Sequence, residues 1–209
     1  MAVEIVFSDA PPLKIPLTIS LSRGDFPSTH LRVDPRFTSP SPEEQERIRA
    51  ERALIDEIYA AGRSSWLGEG GFTRPLQGSV SSPFGAKRLF NDIIHSRHRG
   101  VDLRSPPGTP VEASNAGFVV FTGSLFYAGK TVIIDHGMDL FTLYCHLSET
   151  VVSRGEFVGR GSLIGRVGAT GRATGPHLHW GARLAGVNVD PLSLLDLPLE
   201  GESFQISAE

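Results

Sequence analysis

The chain has 209 residues, of which 40% are hydrophobic and 21% charged, and its net charge is −3 at neutral pH. These values exclude a disordered chain and are typical of a globular protein with one main core and room for a smaller appendage. Acidic and basic residues are interspersed, so no basic field is available for a nucleic acid backbone or an anionic lipid surface. We therefore expect no nucleic acid partner.

The sequence offers little evidence about the compartment. Cys145 is the only cysteine, which excludes an intrachain disulfide but fits either a reducing or an oxidising environment. No run approaches the roughly 18 apolar residues that span a bilayer, so no transmembrane segment is expected. The first residues also lack the basic start and apolar centre of a signal peptide. The protein is thus expected to be either cytosolic, or exported with its leader absent from this chain.

The N-terminal part begins with short β-like runs, VEIVF and LKIPLTISL, which are broken by prolines and glycines and predict a small strand-rich appendage. A helix over about residues 42–61 follows. Ser41 can cap it, Pro42 suits its first position, and Glu44 completes a capping box. An apolar stripe, interrupted by charged residues at 51 and 52, predicts partial burial and comprises Ile48, Ile55, Ile58 and Tyr59.

A stretch that is rich in glycine and serine, GRSSWLGEGGFTRPLQG, follows the helix and is typical of a linker. We place a domain boundary near residue 70. Residues 1–70 would then form the N-terminal segment, 71–199 the main domain and 200–209 a C-terminal tail. From Val80 onward, short β-branched or alternating runs are separated by glycine turns. The predicted fold class is mainly β, an antiparallel sheet with little helix.

Two histidines alternate in GPHLHWGARL. On a β-strand, His177 and His179 would point to the same face, about 6–7 Å apart, with Leu178 and Trp180 on the other face. Such a pair alone does not distinguish two ordinary core or surface histidines from two groups that enter one cavity.

Further motifs strengthen the functional interpretation. His98 and Asp102 offer a nitrogen and an oxygen that both suit Zn²⁺. His146 follows an alternating frame and is expected on the strand face of Leu140, Thr142 and Tyr144. A catalytic zinc site usually has three protein ligands and an open position for water, which leaves two of the five candidates for proton transfer. Spacing alone leaves open which member of the H-x-H pair is the ligand.

Three zinc ligands and two unligated histidines together could catalyse hydrolysis. Zinc held by two neutral imidazoles and one carboxylate would lower the pKa of bound water toward about 7. An unligated histidine can take the proton of that water and return it to a leaving amine. Hydrolysis of a peptide bond fits these parts.

The combined motifs resemble the M23 family of zinc metallopeptidases, the lysostaphin-type or LytM-type peptidoglycan endopeptidases. The similarity covers roughly residues 78–191, through SSPFGAKR, HRGVDLRSPPGTPVEASNAGFVVFTG, TVIIDHGMDLFTLYCHLS and GSLIGRVGATGRATGPHLHWGARLAGVNVDP. The resemblance implies an antiparallel sheet with an open groove, and one Zn²⁺ per chain held by His98, Asp102 and His179. It also implies that His177 and His146 act on water and substrate.

The resemblance further implies the substrate, peptide cross-links of bacterial peptidoglycan, and hence an exported protein of the periplasm or cell envelope. Two alternatives are a non-catalytic M23-like module that binds the wall or activates another hydrolase, and a β-rich structural domain whose histidines bind nothing. We also hypothesise that the N-terminal part positions substrate or covers the groove.

The remaining histidines and the cysteine are assigned outside the catalytic set. His95 is expected on the surface within an insertion-like stretch, LFNDIIHSRH, and His30 in a solvated loop. His136 is expected to form hydrogen bonds within the groove. Because neighbours on a strand face opposite ways, Cys145 should turn away from His146 and act as a small buried apolar group.

Overall fold

A computed structural model of the chain describes residues 3–5, 13–15 and 24–197. Its one α-helix in these ranges, α1, spans Pro42–Ala60, and 3₁₀ turns occur at Pro35–Phe37 and Pro191–Asp196. The strands of the N-terminal half are β1 (Val3–Ile5), β2 (Leu13–Ile15), β3 (Ser28–Leu31), β4 (Ser79–Ser82), β5 (Lys87–Phe90), β6 (Ile94–Arg97) and β7 (Gly100–Arg104). Those that follow are β8 (Pro110–Glu112), β9 (Gly117–Leu125), β10 (Gly129–Asp135), β11 (Leu140–Thr150), β12 (Phe157–Val158), β13 (Leu163–Val167), β14 (His177–Leu184) and β15 (Val187–Val189).

One large sheet dominates the structure. Seven strands follow the order β12-β9-β10-β11-β14-β7-β4, and β8, β13 and β15 join them to make ten. Every pairing in this sheet is antiparallel. The predicted fold class, mainly β with an antiparallel sheet, is therefore confirmed.

The two faces of the sheet are buried by different partners. Tyr144, Leu178 and Trp180 lie in the larger core cluster, where all three side chains are fully buried. Ile133 and Phe141 belong to a second cluster, on which the helix α1 packs. The helix thus covers the part of this face around Phe141, and the histidines lie farther along β14.

The helix begins as the sequence predicts. The Ser41 hydroxyl accepts from the backbone N–H of Glu44, whose carboxylate accepts from the backbone N–H of Ser41 in return. The apolar stripe is confirmed in its C-terminal half, since Ile58 is buried and both Ile55 and Tyr59 pack beside it. Glu51, which interrupts the stripe, accepts a 2.8 Å hydrogen bond from the backbone N–H of Phe126. The helix is thereby tied to the turn between β9 and β10.

The glycine-rich stretch after the helix has no regular structure, in agreement with its sequence, but it packs closely on the sheet. The backbone N–H of Leu67 donates to the carbonyl of His136 at 2.9 Å, and that of Thr73 donates to the carbonyl of Ser114 at 2.8 Å. Phe72 and Leu76 are buried. The segment therefore crosses the surface of the sheet along a fixed path, while the division of the chain near residue 70 stays a prediction.

A second, three-stranded sheet joins two segments that the sequence analysis treated separately. β3 pairs in parallel with β5, and β5 pairs antiparallel with β6. β3 comes from the predicted appendage, whereas β5 and β6 include most of the insertion-like stretch. The predicted appendage also contains the antiparallel pair of β1 and β2. Residues 6–12, 16–23 and the expected tail at 200–209 lie outside the described residues.

Replacing Phe141 with alanine tests the packing of α1 on the sheet. Phe141 is 2% exposed and contacts Tyr59 edge to face at a centroid distance of 5.0 Å. The cavity left behind is expected to lower the free energy of unfolding by about 3–5 kcal/mol, measured by urea denaturation. Leu184→Ala is the control, because a side chain that is 41% exposed should cost within about 0.5 kcal/mol. Equal losses in both variants would contradict this account of the core.

Candidate metal centre

The site is built on the pairing of β7 with β14. In this antiparallel register His179 lies directly opposite Asp102, and His177 lies opposite Arg104. Directly paired residues share a face, so all four side chains project from the same side of the sheet. Leu178, between the two histidines on β14, and Trp180, which follows His179, point into the core as predicted.

Three predicted site residues converge on one point. The Nε2 atom of His98 and the Nδ1 atom of His179 are 2.9 Å apart, and each is 2.9 Å from Oδ1 of Asp102. These three side chains form the His-Asp-His group that could hold a metal ion. The three donor atoms therefore form a nearly equilateral triangle.

The atoms of Asp102 and His98 that face away from the triangle form hydrogen bonds with neighbours that were not predicted from the sequence. The guanidinium of Arg88 donates to Oδ2 of Asp102, and to the Ser82 hydroxyl at 2.8 Å. The Nδ1 atom of His98 lies 2.9 Å from the carbonyl oxygen of Pro83, to which it donates. A ligand whose second atom is fixed by a hydrogen bond keeps its orientation and tautomer. Arg88 thus leaves only Oδ1 of the carboxylate facing the centre.

Local electrostatics favour an ionised Asp102 and a neutral His179. Burial alone would raise the pKa of Asp102, but the imidazoles of His179 and His98 beside its carboxylate outweigh this effect and hold the pKa well below its usual range. Burial lowers the pKa of His179, partly opposed by the bond to Asp102. An ionised carboxylate facing a neutral imidazole is the arrangement that binds a divalent cation without first releasing protons.

His177 and His146 lie beside the triangle. Their ring centroids are 4.8 Å apart, and the His146 ring is 6.1 Å from that of His179. Nδ1 of His177 donates to the carbonyl of Gly175 at 2.8 Å, and Nδ1 of His146 donates to the carbonyl of Thr170 at 2.7 Å. Because a carbonyl only accepts, each Nδ1 carries the proton, and each Nε2 is left with a free lone pair.

His146 reaches the site by a route that strict alternation does not predict. Two residues of β11, Cys145 and His146, oppose a single residue of β10, and His146 has a left-handed backbone with φ of 62°. The expected alignment of His146 with the face of Tyr144 is therefore wrong, since Tyr144 points into the larger core. The bulge instead turns the His146 ring toward His177.

Cys145 also requires a correction. It pairs with His179 and so lies on the site's face of the sheet, rather than turned away from it. The prediction that it acts as a small buried group is correct, because its side chain is buried and burial raises the pKa of its thiol to about 12. A thiol that stays protonated at neutral pH is not a nucleophile.

The remaining histidines lie away from the triangle. His136 was expected in the groove, but it is fully buried between the Ala116 carbonyl and the Thr142 hydroxyl, each 2.7 Å from a ring nitrogen. Burial lowers its pKa to about 4, so it is a neutral core residue. His95 is exposed as predicted. His30 is exposed too, although it belongs to β3 rather than to a loop.

Comparison with known proteins places this geometry in a family. The model of peptidase family M23 matches residues 96–191. The catalytic domain of the prophage-encoded M23 protein EnpA of Enterococcus faecalis, in a mutant form, is 30% identical with a TM-score of 0.50, covering 56% of this chain and 94% of that one. The chain belongs to peptidase family M23.

Two further relatives are informative. The peptidoglycan DD-endopeptidase ShyB of Vibrio cholerae is 39% identical over 186 residues, which cover 88% of this chain and 38% of that protein. A zinc-containing peptidase from Vibrio cholerae is 32% identical with a TM-score of 0.55, covering 58% of this chain and 39% of that one. The chain spans between 24% and 38% of the length of three of the curated relatives that it matches. None of the helices in residues 24–197 has the length and apolarity needed to cross a membrane.

Gly100 is expected to be essential for the close approach of β7 to β14. A Cβ atom at this position would lie 2.4 Å from the carbonyl oxygen of Trp180 and 2.9 Å from Nε2 of His179. Gly100→Ala should therefore displace His179 and weaken metal binding at least tenfold, measured by competition with a chromogenic chelator. Gly71→Ala is the control, because its added methyl group meets no atom within 4 Å. Unchanged metal affinity in Gly100→Ala would contradict this account.

Proposed function

We propose that the chain is a zinc-dependent endopeptidase that hydrolyses peptide cross-links of bacterial peptidoglycan. The observation that carries the proposal is the triangle of His98, Asp102 and His179, beside which two further histidines each have Nδ1 bonded to a backbone carbonyl. A purely structural metal site would be closed by a fourth protein ligand. Here the groups beside the triangle are suited to proton transfer instead.

The donor set fits zinc. Two imidazole nitrogens and one carboxylate oxygen are ligands of catalytic zinc sites, in which the fourth position holds water or substrate. Three ligands of a tetrahedral zinc ion lie about 3.3 Å apart, so donors 2.9 Å from one another need only a small outward adjustment. When bound, the ion would polarise the scissile carbonyl and lower the pKa of a bound water toward about 7.

His177 is proposed to move the proton. Its Nε2 atom lies 3.8 Å from Oδ1 of Asp102, so the ring reaches the edge of the triangle without being one of its three donors. The bond from its Nδ1 to Gly175 fixes the tautomer, which lets Nε2 accept a proton from water and return it to the leaving amine. The His177 side chain is 14% exposed, so substrate can reach it from the groove.

His146 is proposed to orient the water, because its Nε2 atom can accept a hydrogen bond from it. Burial, together with the charges of His177 and His179, lowers its pKa to about 3, so its ring is neutral at physiological pH. The Thr170 carbonyl fixes the tautomer, as Gly175 does for His177. A rigid, neutral ring placed by a backbone bulge provides the preorganised contact that amide hydrolysis needs.

The substrate assignment is supported by the relatives, among which ShyB is named a peptidoglycan DD-endopeptidase. Action on the wall would place the working protein outside the cytoplasm, in the periplasm or cell envelope. A non-catalytic module that binds the wall is less consistent with the site, because such a module has no need for three ligands and two tautomer-fixed histidines.

Two pairs of variants test the roles. His98→Ala and Asp102→Ala should lose bound zinc, because each removes one of three ligands. His177→Ala and His146→Asn should keep zinc but lose at least a hundredfold in kcat, since the first removes the proton-transfer group and the second the group that orients the water. Asparagine tolerates the left-handed backbone at 146. Zinc is measured by elemental analysis, and turnover by digestion of purified muropeptides.

The exposed His95→Ala variant is the control and should retain both zinc and activity. Equal loss of zinc in both pairs would contradict the division between the three zinc ligands and the two histidines that act on water. Full hydrolysis by the wild-type chain after chelation would contradict the metal mechanism itself.

A further inference from the structure

A cavity with a volume of about 810 Å³ adjoins the metal triangle and extends away from it. Asp102 and His177 line one end, and residues of β3 and β5, Leu31 and Phe90 among them, line the wall. Three arginines also line it, at positions 88, 104 and 172, whereas Asp102 is the one acidic residue in the described lining. The cavity is therefore positively charged beside the proposed scissile bond.

The three arginines differ in their partners. Arg88 donates to Asp102, so its charge is already compensated. Arg104 lies directly opposite His177, on the same face of the sheet, and its side chain forms no ion pair within the described residues. Arg172 likewise has no carboxylate partner in the part of the chain that the structure describes. Two positive charges in the cavity thus lack a counter-ion among residues 24–197.

Arg172 is held in a fixed orientation. Its guanidinium carbon lies 4.0 Å from the ring centroid of Phe90 and 4.6 Å from that of Tyr127. Its backbone N–H also donates to the Tyr127 carbonyl at 2.8 Å. Burial lowers the pKa of this guanidinium, and the nearby charge of Arg88 lowers it further, which is the cost of keeping an unpaired cation here. Contacts of this kind hold the plane of a guanidinium, and its N–H edge can then bind a planar anion.

We propose that Arg172, assisted by Arg104, binds a carboxylate of the substrate peptide, so that the peptidase prefers peptides with a free carboxylate next to the cleavage site. This inference rests on the proposed function and adds the substrate class. A guanidinium matches a carboxylate through two parallel N–H···O bonds, which gives directional recognition. The carboxylate is either the C-terminal one or one within the peptide, and both have the same recognition chemistry.

Amidation separates the two sources. Cross-linked muropeptides are prepared with all carboxylates free, with only the C-terminal carboxylate amidated, and with only the internal ones amidated. Wild-type protein should lose about tenfold to a hundredfold in kcat/KM, mainly through KM, on one of the amidated forms. The form that suffers the loss identifies the carboxylate that Arg172 binds. Equal kcat/KM on all three would overturn the proposal.

Variants connect the preference to the residue. Arg172→Gln should show the same loss on the free peptide and little further loss on the sensitive amidated form, while Arg172→Lys should regain part of the preference through its charge. Arg154→Ala removes an exposed arginine elsewhere and should leave the preference unchanged. Equal proportional losses on free and amidated peptides in Arg172→Gln would indicate a structural role and overturn the proposal.

A binding measurement separates this inference from the proposed function. The zinc-loaded His177→Ala chain is titrated calorimetrically with the same peptides, so that affinity is recorded without turnover. Tighter binding of the free form, lost in the double variant with Arg172→Gln, supports the carboxylate site even if no peptide is cleaved. Equal affinity for free and amidated forms would contradict it, even if the wild-type chain is an active peptidase.

Discussion

The register between β7 and β14 is the constraint on which the site depends. Placing His179 opposite Asp102 brings both side chains to one face, and a slip by one residue would send the H-x-H pair into the core and Leu178 and Trp180 into the groove. The burial of Leu178 and Trp180 therefore holds the two histidines in place. Hydrophobic packing on one face of β14 thus fixes the chemical groups on the other.

Much of this arrangement is encoded locally and could be predicted. Alternation on β14 follows from HLHW alone, the capping box defines the start of α1, and glycine turns between short β-branched runs indicate an antiparallel sheet. The selection of His98, Asp102 and His179 as a set needed more than spacing, because only the resemblance to M23 peptidases distinguished His179 from His177. The structure places the donor atoms of that set together, while their roles as ligands stay part of the proposed function.

Other features depend on non-local contacts that a single sequence does not display. The bulge at His146 forms because β11 carries one residue more than β10 between two fixed pairs, and nothing in the run LFTLYCHLS marks that extra residue. The parallel pairing of β3 with β5 joins residues more than fifty positions apart. Arg88 and Arg172 were missed for the same reason. The sequence shows only that each arginine lies near a motif. The contact of Arg88 with Asp102, and those of Arg172 with two aromatic rings, become evident only in the fold.

These non-local contacts change how the N-terminal region should be understood. Thr29 and Leu31 of β3 line the cavity, and Ile58 of α1 closes the hydrophobic cluster that contains Phe141. A chain that starts near residue 70 would lack both elements, so it would lose a wall of the cavity and expose part of the sheet. A change in the rate of peptide hydrolysis by such a shortened chain would therefore not show that the N-terminal part covers the groove. Loss of the cavity wall could change the rate as well. Substitutions at Thr29 or Leu31 address the cavity wall alone, because they leave α1 and its packing in place.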